Sequence, residues 1–287
     1  MSAMEISLVI PGSLVVDAPD LRLKTLKVGQ IGRLAAIYRV SEVLLYADYS
    51  FDKQRKDLVL VKEILDYMEM PQYLRKRLIP SSPRLRYAGI LPPLASPHHP
   101  LQSRKSGLQD GEFREGVVVR SDPRGCLVDI GVEQPQRLLG ASLPEGTRVT
   151  VRVVMKDNKL YLERVNRSEV KTYWGYEVRI LKGSLASILK HLRPGLIVLT
   201  SKYGVTFRSV SEQILDGWRR VGRLFLIFGG PHRGLREILE DEGVTPEEVG
   251  DFMVNFIPYQ GTRTVRTEEA VAAALAVLNL CRGNGSK

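Results

Sequence analysis

Residues 80–110 hold six prolines, Pro80, Pro83, Pro92, Pro93, Pro97 and Pro100, and they separate stretches of different texture. Proline lacks a backbone N–H and fixes φ, so helix interiors and central strands are closed to this segment. Upstream, residues 6–10 form an apolar run stopped by Pro11-Gly12, and residues 43–46 form a second. Residues 26–40 and 51–68 repeat at helical spacing. Ile31, Leu34, Ala35 and Tyr38 share one face, and Leu58, Val61, Ile64, Leu65 and Met68 share another, with Pro71 as the stop. Strand, helix, strand, helix predicts a parallel sheet covered by helices.

Downstream of the prolines the period changes. Short alternating or β-branched runs at residues 116–120, 125–130, 147–154 and 159–164 are divided by Asp122-Pro123-Arg124-Gly125, Pro144-Glu145-Gly146 and Asp157-Asn158. This predicts a small all-β barrel. An OB-fold fits the size and would add a nucleic-acid surface; a purely structural barrel is the alternative. After Asn166 the α/β alternation returns. Strands are expected at 177–181, 196–199, 223–228 and 251–256, and helices at 184–191, 208–218, 234–242 and 264–280. Seventy N-terminal residues are too few for a doubly covered sheet of their own. The reading is therefore one α/β domain, residues 1–82 and 169–287, interrupted by a barrel at 83–168.

A chain of 287 residues, 44% hydrophobic and 26% charged, has the length of about two domains and the composition of a folded protein, not a disordered one. No apolar run approaches the ~18–20 residues of a membrane span. The N-terminus lacks the basic-then-apolar layout of a signal peptide. Two distant cysteines, Cys126 and Cys281, make neither a disulfide framework nor a zinc site. A cytoplasmic protein without metal is expected. Lys and Arg number 42 against 32 Asp and Glu, a formal charge of +10. From Pro71 to Gln109 there are seven basic residues (Arg75, Lys76, Arg77, Arg84, Arg86, Arg104, Lys105) and no acid. Such an excess binds a polyanion by counterion release, and these seven are the candidate RNA contacts; a solvated basic linker is the bland reading.

Three segments carry loop chemistry that a core does not need. Lys27-Val28-Gly29-Gln30-Ile31-Gly32-Arg33 reads as a helix start. Each glycine there costs about 1 kcal/mol against alanine, which suggests close packing or approach to a ligand. Arg33 follows, either in a surface ion pair or facing that ligand. Phe228-Gly229-Gly230-Pro231-His232-Arg233-Gly234-Leu235 joins an apolar strand to a helix, the place where parallel sheets bind ligands. It has neither the G-x-G-x-x-G spacing nor a Walker lysine; a tight turn without ligand is the alternative. The third segment, residues 255–269, also leaves a strand and enters a helix, with Thr264 as N-cap candidate. The following AVAAALAVLNL is apolar nearly all round, so it should be buried, centrally or in a homodimer interface.

Taken in order, these segments resemble the SPOUT, or α/β-knot, methyltransferase superfamily. Residues 29–35 look like the N-x-G-x-x-x-R-x-A motif of its RNA 2′-O-methyltransferase branch, with Arg33 at the arginine. FGGPHRGL looks like the second motif, F/L-G-x-x-x-x-G-L, and IPYQGTRTVRTEEA like the third. The nearer likeness is to an RNA methyltransferase family of archaea and eukaryotes. Its eukaryotic members are linked to uridine N3 methylation, and it carries an OB-like insertion. Its texture is seen in Lys24-Thr25, Leu74-Arg75-Lys76, residues 88–94, Arg114-Glu115-Gly116 and Thr200-Ser201-Lys202-Tyr203-Gly204.

The resemblance implies a trefoil-knotted parallel sheet with helices on both faces, a homodimer, and S-adenosylmethionine held by three loops. On this sequence those loops are Leu199, Thr200 and Ser201; Phe228, Gly229, Gly230, Pro231 and Gly234; and Ile257, Pro258, Gln260, Gly261, Thr262, Thr264 and Val265. The substrate would be structured RNA, rRNA or tRNA. Where the 2′-O-methyl branch has S-L-N-x-S, this chain reads Thr264-Val265-Arg266-Thr267-Glu268, which favours a base nitrogen over the ribose hydroxyl. Transfer then needs alignment and stabilisation of a uracil anion. Arg33 and Arg266 are the candidates for that role. Glu268 is either a base or a helix cap, and His232 contacts solvent or phosphate. Rival readings are a non-catalytic RNA-binding or assembly protein, a ribose 2′-O-methyltransferase, and a nucleotide-dependent enzyme using the Phe228 loop.

Overall fold

The computed structural model describes residues 4–123, 125–140, 142–157 and 159–282. Two of the turn residues named above, Arg124 and Asn158, lie outside them. In chain order the elements are β1 (Glu5–Pro11), α1 (Leu21–Ile37), β2 (Glu42–Tyr46), α2 (Phe51–Glu69), α3 (Gln72–Leu78), β3 (Phe113–Asp122), β4 (Gly125–Asp129), β5 (Gln136–Leu138), β6 (Arg148–Lys156) and β7 (Lys159–Arg164). There follow β8 (Glu177–Ile180), α4 (Leu185–His191), β9 (Leu196–Thr206), α5 (Phe207–Val221), β10 (Arg223–Ile227), α6 (Leu235–Asp241), α7 (Pro246–Val249), β11 (Phe252–Asn255) and α8 (Thr267–Cys281). The chain divides into two compact units. One takes the residues up to Asp66, Arg84–Pro92 and the residues from Tyr176 on; the other takes Tyr67–Pro83 and Pro93–Gly175.

The first unit is a six-stranded sheet in the order β11-β9-β10-β1-β2-β8, with every pairing parallel. Val9, Leu44, Ile197, Phe225 and Ile227 pack with residues of α4 and α6 on one face. The alternate positions Leu8, Val43, Val198 and Leu226 are equally buried. Apolar strands without polar alternation are what a sheet covered by helices on both faces requires. α1 begins at Leu21, earlier than its apolar stripe suggests, because Asp20 caps it by accepting from the Leu23 N–H at 2.8 Å. Gly29 and Gly32 are therefore inside the helix, not at its start. Gly29 answers to packing: a Cβ there would lie 2.7 Å from Leu91 Cδ2. α5 ends at Gly222, whose φ of 77° places it in the left-handed region.

β9 runs on past Leu199 to Thr206. Its pairing with β11 shifts between Met253, opposite Leu199, and Val254, opposite Val205, so residues 200–204 stand out of the ladder. Gly204 is fixed by that excursion, since a Cβ would come within 2.5 Å of the Met253 carbonyl oxygen. α8 starts at Thr267, not Thr264. Glu269 accepts from the Arg266 N–H at 2.8 Å, so the cap belongs to Glu269 and not to Thr264 or Glu268. Nor is α8 buried all round: Val271, Ala274, Leu275 and Leu278 are buried, but Leu280 is 85% exposed.

The second unit is a closed barrel in the order β3-β4-β5-β7-β6, closed by β3 pairing with β6. β5 was not expected from the sequence; it is three residues long and is joined to β7 in parallel through Leu138 and Leu162. Val118, Val128, Leu138, Val151 and Leu162 fill the interior. A polar cluster within this unit joins Glu69 and Tyr73 to the barrel strands. Arg148 donates to Glu69 at 2.7 Å and to Glu115 at 2.6 Å, and Tyr73 donates to the Glu115 carbonyl at 2.7 Å. Burial pushes the Glu69 carboxyl up, but Arg148, His98 and Arg167 outweigh it and hold it below the ordinary range. Burial drives His98 down to about 3, and it lowers His99 as well.

Candidate active site

The excursion at residues 200–204 within β9 and the loops that leave the carboxyl ends of β10 and β11 belong to three neighbouring strands of the sheet. The β10 loop is seated by its backbone. The Phe228 N–H donates to Val9 O at 2.9 Å, the Tyr46 hydroxyl donates to Phe228 O at 2.8 Å, and the Gly230 N–H donates to Arg233 O at 2.9 Å. A Cβ at Gly230 would sit 2.5 Å from Ser13 Oγ and 2.6 Å from Asp48 Oδ2, so packing alone requires glycine at that position. The neighbouring loops are tied to this one. Thr200 Oγ1 donates to Ile227 O at 2.8 Å, and Thr267 Oγ1 to Gly229 O at 3.3 Å. Asn255 Nδ2 donates to Lys202 O at 2.9 Å and Asn255 Oδ1 accepts from the Ile257 N–H at 2.8 Å, joining the β11 loop to the β9 excursion. The β11 loop is also held internally, through Gln260 to Thr262 O and Thr262 to Thr264 O, both at 2.9 Å.

The structure thus assembles the loops that carry the expected cofactor residues. Leu199, inside β9, and Phe228, just past β10, are buried, Thr200, Ser201, Gly229, Gly230, Pro231, Ile257, Gln260 and Val265 are half-buried, and Pro258, Gly261, Thr262 and Thr264 are exposed. Gly234 and Gly261 differ from Gly230: a Cβ at either would meet nothing within 4 Å. Both are exposed, and the Gly234 N–H donates to Glu237 Oε2 at 3.1 Å as the cap of α6, so side-chain packing does not call for glycine at either position. These segments offer exposed main-chain donors and acceptors, a chemistry compatible with a bound methyl donor.

The charged candidates fall in different settings. Arg33 is half-buried in α1, and Arg266 is exposed just before α8. His232 is exposed in the β10 loop. Glu268 is buried and faces Lys27 Nζ at 3.3 Å; Lys27, also buried, donates to both carboxylate oxygens of Asp17 at 2.6 and 2.7 Å. The helix-cap alternative for Glu268 is thereby overturned, and its carboxylate serves the contact between α1 and α8. Sequence reasoning missed Ser13, Tyr46 and Asp48, polar residues at the carboxyl ends of β1 and β2 or just beyond, and Gln54 in the first turn of α2. Ser13 Oγ and Gln54 Nε2 each donate to Asp48 at 2.6 Å. The available signal for the first three was their position, at the end of or just after an apolar run in a parallel-sheet pattern.

The basic stretch is less bare than its sequence. Arg77 meets Asp129 at 3.1 Å, and Arg84 makes two bonds to Glu63, at 2.5 and 2.8 Å. Arg75 lies 4.3 Å over the Tyr67 ring and donates to Met70 O. Lys76, Arg86, Arg104 and Lys105 are exposed. Arg84 and Arg86 belong to the sheet unit and the other five to the barrel unit. A cavity of about 610 Å³ in the sheet unit, lined by Arg179, Lys182, Arg193, Arg223 and Phe225 among others, includes none of the loop residues above. Its arginines are already matched, Arg179 and Arg223 by Glu42 and Arg193 by Asp251.

Comparison with known proteins gives a consistent picture. The model of a family described as "Putative RNA methyltransferase" matches residues 5–278. A human 28S rRNA (uridine-N(3))-methyltransferase is 34% identical over 300 residues, 95% of this chain and 77% of its own length. The mouse protein of the same name is 34% identical over 304 residues, 95% and 75% of the two chains. An uncharacterized protein from Haloarcula marismortui is 31% identical over 293 residues and is covered over 99% of its length.

Proposed function

The chain belongs to this RNA methyltransferase family, and from that premise we propose that it transfers a methyl group from S-adenosylmethionine to uridine N3 in rRNA or tRNA. The observation that carries the donor assignment is the meeting of three main-chain-rich segments from neighbouring strands, with Gly234 and Gly261 exposed. The uridine assignment rests on the human and mouse relatives, which are named for that base, and on the Thr264-Val265-Arg266-Thr267-Glu268 stretch, which lacks the asparagine and serine of the ribose methylators.

Bound at these loops, S-adenosylmethionine supplies a methyl group already activated by its positive sulfur. The protein's own tasks are alignment and charge. Uracil N3 must lose its proton to become nucleophilic, and the anion spreads onto the flanking carbonyl oxygens. Arg33 and Arg266 stabilise that anion or hold the adjacent phosphate. The Lys27 ammonium, 3.3 Å from Glu268, favours a role for this carboxylate in holding α1 against α8 over a role as proton acceptor. The barrel order, first-second-third-fifth-fourth strand in chain sequence, supports an OB-like module that grips RNA together with Lys76, Arg104 and Lys105. The half-covered apolar α8, with Leu280 outermost, supports a homodimer, and the order of the three loops supports a knotted C-terminal segment.

Labelled donor with total RNA, followed by nucleoside mass spectrometry, tests the reading. The expected product is 3-methyluridine. No methylated nucleoside despite measurable donor binding would overturn it in favour of a non-catalytic RNA binder. R33A should abolish transfer with donor affinity nearly intact.

A further inference from the structure

Asp48 lies just beyond the carboxyl end of β2 and is 5% exposed. Among the described residues its carboxylate has two side-chain hydrogen-bond partners, and both are neutral. Ser13 Oγ donates to Oδ2 and Gln54 Nε2 to Oδ1, each at 2.6 Å, and the Asp48 N–H donates back to Gln54 Oε1 at 3.0 Å. Among the described residues no Lys, Arg or His forms an ion pair with this carboxylate. Arg233, beside it, donates to the main-chain oxygen of Asp48 at 3.2 Å and pairs instead with Asp241. The negative charge is felt by its neighbours: burial first, and then Asp48, pushes the Tyr46 phenol well up. A carboxylate withdrawn from water carries a large solvation cost, which neutral donors offset only in part. Among the described residues none supplies a cation to this carboxylate.

Asp48 Oδ2 lies 2.6 Å from where a Cβ of residue 230 would be, so the carboxylate touches the Gly229-Gly230 turn from below. We infer that Asp48 is the counter-ion kept ready for the positive sulfonium of the methyl donor, and that it makes the site prefer the donor over the demethylated product. The inference rests on the donor assignment made above. S-adenosylmethionine and S-adenosylhomocysteine share one skeleton; the first has a fixed positive charge at sulfur and the second is a neutral thioether. A carboxylate at this point separates them by charge without needing to contact the departing methyl. It also loosens the product once the charge is gone. Asp48 is on this account a specificity-determining residue and transfers no proton.

The test compares the Kd of both compounds, by calorimetry, for the wild type, Asp48→Asn and Ser13→Ala. Asparagine keeps both hydrogen bonds, accepting from Gln54 and donating to Ser13, and removes only the charge. D48N should weaken S-adenosylmethionine by about tenfold or more while the homocysteine compound stays within about twofold. S13A keeps the charge and should affect both compounds alike. Equal weakening of both by D48N, or no change in either, would overturn the inference while leaving the donor site standing. Failure of the wild type to bind either compound would remove the donor assignment itself, and the inference with it.

Discussion

Replacing Lys27 by methionine keeps the length of the buried side chain and deletes its charge. Lys27 is 7% exposed and stands between Asp17 and Glu268, and Glu268 is itself 6% exposed. Glu268 Oε2 makes no hydrogen bond among the described residues, so its charge is offset through the 3.3 Å approach of the ammonium. K27M leaves two carboxylates with no cation between them, one of them out of water. Removing one member of a buried pair costs about 3–5 kcal/mol. Glu268→Gln is milder, because Lys27 keeps Asp17, and it should cost on the order of 1 kcal/mol. At about 2–4 °C per kcal/mol for a domain of this size, K27M should lower Tm by about 10 °C and E268Q by about 3 °C. The K27M/E268Q double variant removes the stranded charge and should recover most of the K27M loss, a coupling that a double-mutant cycle reads directly. Scanning calorimetry of the four proteins decides it. A K27M shift no larger than that of E268Q, or strictly additive losses in the double variant, would refute the reasoning.

Gly204→Ala would drive a Cβ against the main chain of Met253 and Val254, at 2.5–2.7 Å, where no side chain can swing aside. It should cost about 1–3 kcal/mol in urea unfolding, and wild-type stability would show that the β9 excursion is looser than described. In the barrel unit His98 is held near 3 and His99 is also lowered, against 6.5 when free. The unfolded chain therefore takes up protons below pH 6.5 that the folded unit refuses. Stability should fall as pH drops from about 6.5, by up to about 1.4 kcal/mol per pH unit for each ring. Glu69 adds to the loss below about 4.5, and H98Q should flatten the slope in pH-dependent urea melts; an unchanged slope would contradict the assignment. Removing Lys76, Arg104 and Lys105 together should reduce the salt slope of RNA binding by about 2–3. Removing Arg77 and Arg84, whose charges Asp129 and Glu63 already answer, should reduce it less in fluorescence anisotropy; equal losses would mean those ion pairs open on binding.

Apolar runs carried most of the architecture, because a strand buried on both faces advertises itself, as residues 6–10 and 224–228 do. What lacked that signature was missed. β5 spans only Gln136 to Leu138, and its one parallel partner, β7, is not beside it in sequence. The far half of β9 is built from Thr200, Ser201, Lys202, Tyr203 and Gly204, which read as loop and are strand only through the shifted pairing with β11. The start of α8 misled because Thr264 has the chemistry of a cap, while Thr262 had already bound its carbonyl and kept the chain out of helix. Charge was the least local property. Arg77 is answered from 52 residues away and Arg84 from 21, distances beyond any local window on charge. The glycine loops were legible as places where something happens. The carboxylate beneath them was not, because an aspartate after a strand looks like any turn residue until its neighbours are known.

The position of β1 has a consequence for how the molecule is made. It lies inside the sheet, between β2, which follows closely, and β10, whose Arg223 pairs with Glu5 at a separation of about 220 residues. On a ribosome adding about 5–20 residues per second, one edge of β1 waits roughly 10–40 s for its neighbour to emerge. During that time the backbone N–H and C=O groups along that edge, flanked by the apolar Ile6, Leu8 and Ile10, are open to pairing with any other strand. The barrel unit is synthesised entirely within the wait. One edge of β1 therefore stays unpaired in the nascent chain until β10 arrives.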